Sequence, residues 1–198
     1  MASDKIRLGP VFWICGCLLA VVMSFALVFL GIVPLELIAP TFVIAWGGGM
    51  AIILVAGRVG VAKQGSSGSF VLIAGLAGLL LIIVESQIFG ALFGVTASVD
   101  PANFWLVNVL FAVYEETLFL GVRIAGKAGG LPDLWIIGIE AAAFLPYHAL
   151  HYPLTLAFFF FFLIAVRLTL SAISLMTDHS DPPYIAHMGY NFIVSVLV

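Results

Sequence analysis

Apolar segments about as long as a membrane is thick recur along the chain, separated by short turns rich in glycine, proline, serine and aspartate. A helix that rises about 1.5 Å per residue needs roughly 20 apolar residues to cross a hydrocarbon core of about 30 Å. The segments therefore predict about seven transmembrane helices. These spans cover Val11–Val33, Leu37–Ala56, Phe70–Phe93, Ala102–Val122, Leu134–His151, Thr155–Met176 and Tyr184–Val198.

The composition excludes an ordinary soluble domain. Of 198 residues, 64% are hydrophobic and 9% are charged, whereas soluble domains carry about 25% charged residues. The apolar mass is too large for one signal peptide or one anchor. The net charge of −3 leaves no basic surface that would bind nucleic acid. We expect an all-α, polytopic membrane bundle, with residues 1–198 forming a single integral membrane domain.

The basic residues predict the orientation of this bundle. They lie before the first span, between the second and third spans, and between the fourth and fifth spans. These loops share one side if the spans alternate, and the positive-inside rule makes that side cytoplasmic. We therefore expect a cell-membrane protein with a cytoplasmic N terminus. The bases concerned are Lys5, Arg7, Arg58, Lys63, Arg123 and Lys127.

Ionisable side chains inside a span are energetically costly, so each is a candidate functional residue with a partner. Seven such residues lie in the predicted spans, and one neutral polar residue accompanies them. They are Glu115 and Glu116 in the fourth span, Glu140, His148 and His151 in the fifth, Arg167 in the sixth, and His187 with the neutral Asn191 in the seventh.

Glu115 and Glu116 are adjacent, so their side chains diverge by about 100° around a helix while both can line one cavity. A buried carboxylate of this kind can serve as a general base. The alternative is structural: both glutamates form interhelical ion pairs, with Arg123 or Arg167 as the counter-charge. The sequence leaves both interpretations open.

Two histidines are spaced to face a common cavity. His148 follows Phe144 by four residues, which places both on one helix face. His187 and Asn191 have the same spacing, and an imidazole with an amide can stabilise a developing oxyanion. A membrane histidine can equally form a helix–helix hydrogen bond.

The other polar residues favour less specific roles. His151 is expected at the membrane interface, and His179 lies in a polar loop that we expect to be exposed to solvent. Glu140 is interpreted either as an ion-pair partner of Arg123 or Lys127 or as an acid that supports the site from behind. Neither histidine is assigned to the candidate site.

Three segments resemble the motifs of one protease family. Tyr114–Gly121 (YEETLFLG), Phe144–His148 (FLPYH) and His187–Asn191 (HMGYN) are similar to the EExxxR, FxxxH and HxxxN motifs. These motifs belong to the CAAX-prenyl-protease and bacteriocin-processing (CPBP) intramembrane endopeptidases. The resemblance covers roughly Phe104 to the C terminus, on helices within residues 102–198.

The resemblance implies an intramembrane protease, a hydrolase that cleaves a peptide or prenylated-peptide substrate. Glu115 and His148 would bind and activate the hydrolytic water, and Glu116 would tune that site. His187 and Asn191 would stabilise the oxyanion. The family has been described both as metal-dependent and as metal-free. If a divalent metal such as zinc is bound, Glu115, Glu116, His148 and His187 are the expected ligands.

One position departs from the family pattern. Where the first motif usually has arginine before its glycine, this chain has Leu120, and the nearest base is Arg123. Two further functions stay open, the first because of this departure and the second because of the buried acids. One is a catalytically inactive CPBP-like membrane subunit within a larger complex. The other is a carrier or ion pathway in which the buried acids relay protons or cations.

Overall fold

The computed structural model describes residues 8–38, 68–94, 105–149 and 157–197. Within these ranges the protein is all-α, as the sequence predicts, with six helices and one 3-10 turn. The helices are α1 (Pro10–Phe29), α2 (Gly68–Phe93), α3 (Trp105–Ala128), α4 (Asp133–Ala149), α5 (Ala157–Thr177) and α6 (Asp181–Leu197), and the 3-10 turn is Leu35–Leu37. They correspond to the first and to the third through seventh predicted spans. Apart from its first two residues, the second span lies outside the described residues, as does His151.

Helix α3 continues past its predicted end at Val122 and ends with a glycine turn. The N–H of Leu131 donates to the carbonyl of Gly126 at 2.9 Å, and the N–H of Gly130 donates to that of Lys127 at 3.0 Å. Gly130 has a φ of 72°, a conformation that glycine adopts without steric cost. Arg123 and Lys127 are therefore helical and buried, and the prediction that they are loop residues is wrong.

Helix α2 buries a single narrow face. Its buried residues are Val71, Gly75, Gly78 and Ile82, which recur every three or four residues and so form one stripe. This stripe packs against α5 and α6. A Cβ at Gly75 would lie 2.7 Å from the Cβ of Ile185 on α6. The glycines thus allow a close approach between the helices.

The other faces of α1 and α2 are covered by exposed apolar side chains. Leu72, Ile73, Leu76, Leu80 and Leu92 of α2 are each at least half exposed. By length and composition, α2 and α5 could each cross a membrane. A buried core helix of a soluble protein meets the same criterion. The exposed apolar face of α2, however, is not the surface of a core helix.

The ends of several helices meet at one end of the bundle. The Nζ of Lys127 at the end of α3 lies 2.9 Å from Oδ1 of Asp133 at the start of α4, and 3.6 Å from Oδ1 of Asp178 after α5. The N–H of Gly9, just before α1, donates to the hydroxyl of Ser180 at 2.8 Å. Helices α3, α4, α5 and α6 thus alternate in direction.

The loop between α5 and α6 is part of the folded interior. The N–H groups of Val11 and Phe12 each donate to the carboxylate of Asp181 at 3.1 Å, so this residue caps α1 from another helix. His179 is only 4% exposed, and its Nδ1 accepts a hydrogen bond from the N–H of Asp181 at 3.2 Å. The prediction that His179 is exposed to solvent is wrong, because this loop closes over the start of α1.

Candidate functional site

The adjacent glutamates of α3 have different surroundings although both are buried. Glu116 is fully buried and Glu115 is 6% exposed. Because neighbouring residues on a helix point about 100° apart, Glu116 turns toward arginines and Glu115 toward two histidines. The two interpretations of the pair apply to different residues. Glu116 forms ion pairs with Arg123 on its own helix and with Arg167 on α5, and Glu115 lacks an arginine partner among the described contacts.

Glu116 is held by two buried guanidinium groups. Nη2 of Arg123 donates to its Oε2 at 3.0 Å, and Nη1 of Arg167 donates to its Oε1 at 2.8 Å. A second Arg167 nitrogen, Nη2, donates to Oε2 at 3.2 Å. Charged hydrogen bonds of this kind are stronger than neutral ones and fix the planes of both groups. Glu116 therefore has little freedom to act as a reacting carboxylate.

Behind the arginines lies a second fully buried carboxylate, that of Glu140 on α4. Its Oε1 lies 2.9 Å from Nε of Arg123 and its Oε2 lies 3.5 Å from Nε of Arg167. Lys127, the other partner considered from the sequence, pairs with aspartates instead. We name Glu116, Glu140, Arg123 and Arg167 the charge cluster. It contains two acids and two bases and is therefore neutral overall.

Aromatic rings line one side of the charge cluster. The guanidinium carbon of Arg167 lies 4.6 Å from the ring centre of Phe119 and 5.5 Å from that of Phe144. A cation at these distances is attracted to the ring face, more strongly where water is excluded. The same Phe144 contacts His148, so the cluster and the histidine of α4 share one packing residue.

His148 is oriented by its own helix. Its Nδ1 lies 3.0 Å from the carbonyl oxygen of Phe144, one turn earlier. A carbonyl only accepts hydrogen bonds, so Nδ1 carries the proton. The Nε2 atom then faces the carboxylate of Glu115, with 3.6 Å between Nε2 and Oε1. The ring of Phe144 lies against the imidazole, with 4.0 Å between ring centres.

His187 on α6 bridges the two glutamates. Its Nδ1 lies 3.0 Å from Oε1 of Glu116 and its Nε2 lies 3.7 Å from Oε2 of Glu115. Because Glu116 is an ionised acceptor between two arginines, Nδ1 donates to it. Glu115 therefore lies between two Nε2 atoms that come from different helices. Both distances exceed a direct hydrogen bond and are compatible with a shared water or reacting group.

Asn191 makes a different set of contacts. Its side-chain nitrogen donates to the backbone carbonyl of Asn108 at 2.9 Å. Nearby, the side-chain nitrogen of Asn108 donates to the hydroxyl of Ser195 at 2.8 Å. These bonds join α3 and α6 one turn beyond His187. The structure thus brings Glu115, Glu116, His148 and His187 together, whereas the described contacts of Asn191 tie the two helices.

The four expected metal ligands do not form a metal site as they are arranged. Among the residues that the structure describes, no group of three His, Cys, Asp or Glu is placed to hold a metal ion. Both oxygens of Glu116 accept hydrogen bonds from arginine. His187 also donates to Oε1, so each oxygen of Glu116 accepts two hydrogen bonds and has no lone pair left for a metal ion. Glu116 therefore does not fit that role.

The guanidinium that the motif places at position 120 is supplied by Arg123 in this chain. Leu120 is fully buried in an apolar cluster with Phe12 and Val113. Arg123, almost one turn later on α3, supplies the guanidinium that contacts Glu116. Sequence reasoning named Arg123 and Arg167 as counter-charges but missed Ser171, whose hydroxyl contacts Glu140. Ser171 follows Arg167 by four residues, and this spacing could have predicted that the two side chains lie on one face of the helix.

Comparison with protein-family models, with curated proteins and with solved structures finds no match to this chain. The resemblance to the CPBP motifs therefore rests only on the residues of the three segments. The arrangement of Glu115, His148 and His187 is the basis on which a function is proposed.

Proposed function

We propose that the protein is an integral membrane endopeptidase of the CPBP type, in which Glu115 activates the hydrolytic water. One observation carries this proposal: a buried carboxylate without an arginine partner among its described contacts lies between the Nε2 atoms of His148 and His187. A base of this kind must lie within reach of a water and be held by its neighbours. Ion pairing with arginine accounts for the burial of Glu116, whereas the described contacts of Glu115 are with histidines.

The membrane part of the proposal rests on the outer surface of the bundle. Exposed Leu, Ile and Phe side chains cover α1 and α2, and α2 and α5 have the length and composition of spans. A lipid-facing surface of this composition is stable where a water-facing one would aggregate. In the proposed topology seven spans cross the cell membrane and the N terminus is cytoplasmic.

The proposed reaction is hydrolysis of a peptide bond. Glu115 removes a proton from water, and the oxygen attacks the carbonyl carbon of the substrate. The tetrahedral intermediate collapses by breaking the C–N bond, and the protonated Glu115 returns the proton to the leaving nitrogen. His148 accepts a hydrogen bond from the same water through Nε2.

His187 has the position to stabilise the oxyanion in this reaction. Glu116 accepts a hydrogen bond from its Nδ1, which favours a ring that donates from Nε2 when protonated. We propose that Asn191 helps His187 to stabilise the oxyanion. One N–H of its amide donates to Asn108, and the other N–H would donate to the oxyanion. Substrate lipidation is not specified by these contacts, so the proposal covers both peptides and prenylated peptides.

The decisive test is cleavage of a peptide library by protein purified in detergent. We expect Glu115→Gln and His148→Ala to lower kcat about 10²- to 10⁴-fold, as loss of general-base catalysis does. Glu36→Gln, which alters an exposed glutamate in the 3-10 turn, is the matched control and should retain full activity. Equal cleavage by wild type and Glu115→Gln would overturn the proposal.

A second outcome separates enzyme from scaffold. If the wild-type protein cleaves no peptide and purifies from membranes in a stoichiometric complex, the non-catalytic subunit is supported instead. Membrane fractionation with carbonate extraction tests insertion independently, because a protein with seven spans stays in the pellet.

A further inference from the structure

Glu140 is buried, charged and outside the proposed reaction site. It lies on α4, where its contacts are Arg123 at 2.9 Å, Arg167 at 3.5 Å and the hydroxyl of Ser171, which donates to Oε2. None of these three groups contacts Glu115 in the described structure. Glu140 therefore has no place in the reaction steps proposed above, and its burial requires another explanation.

The two arginines connect Glu140 to Glu116. Each guanidinium lies between the two carboxylates: Arg123 is 3.0 Å from Glu116, and Arg167 is 2.8 Å from it. All four side chains are fully buried. In such an interior, an unpaired charge is far more costly than a balanced pair. Removal of the Glu140 charge would leave two arginines against one carboxylate.

The position of Glu116 in turn sets the state of His187. Glu116 accepts the hydrogen bond from Nδ1 of His187 at 3.0 Å, which directs Nε2 toward Glu115. The oxygen that accepts this bond, Oε1, is the one that also accepts from Arg167. A shift of Arg167 toward Glu116 would therefore disturb the bond to His187 directly.

We propose that Glu140 is a positioning residue for the proposed peptidase site. Its carboxylate balances Arg123 and Arg167, and this balance keeps Glu116 on Nδ1 of His187. The inference rests on the proposed function for its kinetic consequence, and on the geometry alone for its effect on His187. Ser171 supports it, because its hydroxyl lies between Nε of Arg167 and Glu140.

The kinetic test uses full-length protein and the best peptide from the library. We expect Glu140→Gln to lower kcat about 10- to 100-fold with little change in KM, because the reacting groups are misplaced and the substrate-binding surface is not altered. The double variant Glu140→Gln/Arg123→Gln restores one acid to one base and should recover most of kcat. Asp133→Asn, which alters a half-exposed acid on the same helix, is the control and should have no effect.

The structural test does not depend on activity. In ¹⁵N-histidine-labelled protein, with His187 assigned by comparison with His187→Gln, the Nδ1-protonated ring should be seen in wild type. We expect it to be lost in Glu140→Gln and restored in the double variant. If Glu140→Gln does not fold, the charge-balanced double variant is compared with wild type alone, and both should show the Nδ1-protonated ring of His187.

Three results would overturn the inference. One is a folded Glu140→Gln protein with wild-type kcat and an unchanged His187 spectrum. Another is a double variant that is no better than Glu140→Gln, which would assign Glu140 a purely structural role. The third is an unfolded or inactive double variant. Failure of the proposed function has a different signature. Either the wild-type protein would cleave no peptide or Glu115→Gln would cleave as wild type, while the His187 spectrum would still respond to Glu140.

Discussion

The charge cluster and helix α2 place their side chains in opposite ways: the cluster buries charged groups, and α2 exposes apolar ones. In the charge cluster four ionised side chains are fully buried and balanced two against two. On α2 large apolar side chains such as Leu80, which is 62% exposed, face outward. A soluble protein has the reverse distribution. Electrostatic pairing thus specifies the interior at the site, whereas the outer face of α2 is mainly apolar.

This contrast predicts where the molecule is sensitive to substitution. A residue in the charge cluster contacts at least two other buried polar groups, at least one of them on another helix, so its loss leaves buried charges unpaired. A residue on the outer face of α2 contacts few partners and leaves no cavity when it is shortened. Matched substitutions on the two sides should therefore differ by several kcal/mol in their free energies of unfolding.

The largest effect is expected for Arg167→Met. It leaves Glu116 and Glu140 with one arginine between them, so the free energy of unfolding should fall by about 3–5 kcal/mol. The measurement is denaturant unfolding of the purified protein in detergent micelles. The neighbouring Leu168→Met, on the exposed side of α5, should change the same quantity by about 0.5 kcal/mol or less. Equal losses in both variants would contradict the comparison.

The next largest loss of stability is expected on the buried face of α2, and the exposed face provides the control. Ile82 is fully buried and Leu80 is 62% exposed. Ile82→Ala should cost about 2–5 kcal/mol, because it leaves a cavity among the phenylalanines of α5. Leu80→Ala removes a similar volume and should cost about 0.5 kcal/mol or less. A cost at Leu80 like that at Ile82 would show that this face is covered by protein.

A smaller effect is expected at the contact between α2 and α6. Gly75→Ala places a methyl group 2.7 Å from the Cβ of Ile185, so the helices must separate, and the cost should be about 1–3 kcal/mol. Ala77→Val adds bulk on the exposed side of the same helix and is the control. Thermal unfolding in the same detergent measures both. A neutral Gly75→Ala would show that the contact is adjustable.

The smallest effect concerns the cap of α1. Asp181→Asn weakens the hydrogen bonds that Val11 and Phe12 donate and should cost about 0.5–2 kcal/mol. Hydrogen exchange should become faster at these two amides and not in α5. Asp133→Asn, in a partly exposed ion pair, is the comparison and should change stability by about 0.5 kcal/mol or less. Unchanged hydrogen exchange at the amides of Val11 and Phe12 would show that Asp181 does not cap α1.

Most of the fold was predictable because apolar length and turn residues are local signals. The helices of the described residues follow the predicted spans, and the error at the end of α3 came from treating Arg123 and Lys127 as loop residues. A base is expected in a loop only if nothing inside the bundle neutralises it. Here Glu116 on the same helix, Glu140 on α4 and two aspartates do so. These pairings were among the alternatives in the sequence, but a local pattern does not decide which of them forms.

The candidate site was predicted less evenly. The spacing of Phe144 with His148 correctly placed both on one helix face, and their contact follows from it. The i, i+4 spacing of His187 and Asn191 also suggested one shared target, but Asn191 contacts the backbone of Asn108. Helical spacing fixes only the direction of a side chain, and the neighbouring helix determines what it contacts.

The sequence by itself determined that the chain is helical and apolar, and that a few ionisable residues lie where ionisation is costly. Periodicity, turn chemistry and composition are local, so they are readable without the fold. Only the tertiary structure decided between Glu115 and Glu116. The two residues are identical in type and adjacent in the chain, but their side chains point about 100° apart. Glu116 meets Arg167 of α5 together with Arg123 of its own helix, whereas Glu115 meets histidines of α4 and α6. The helices that pack on either side of α3 set this difference.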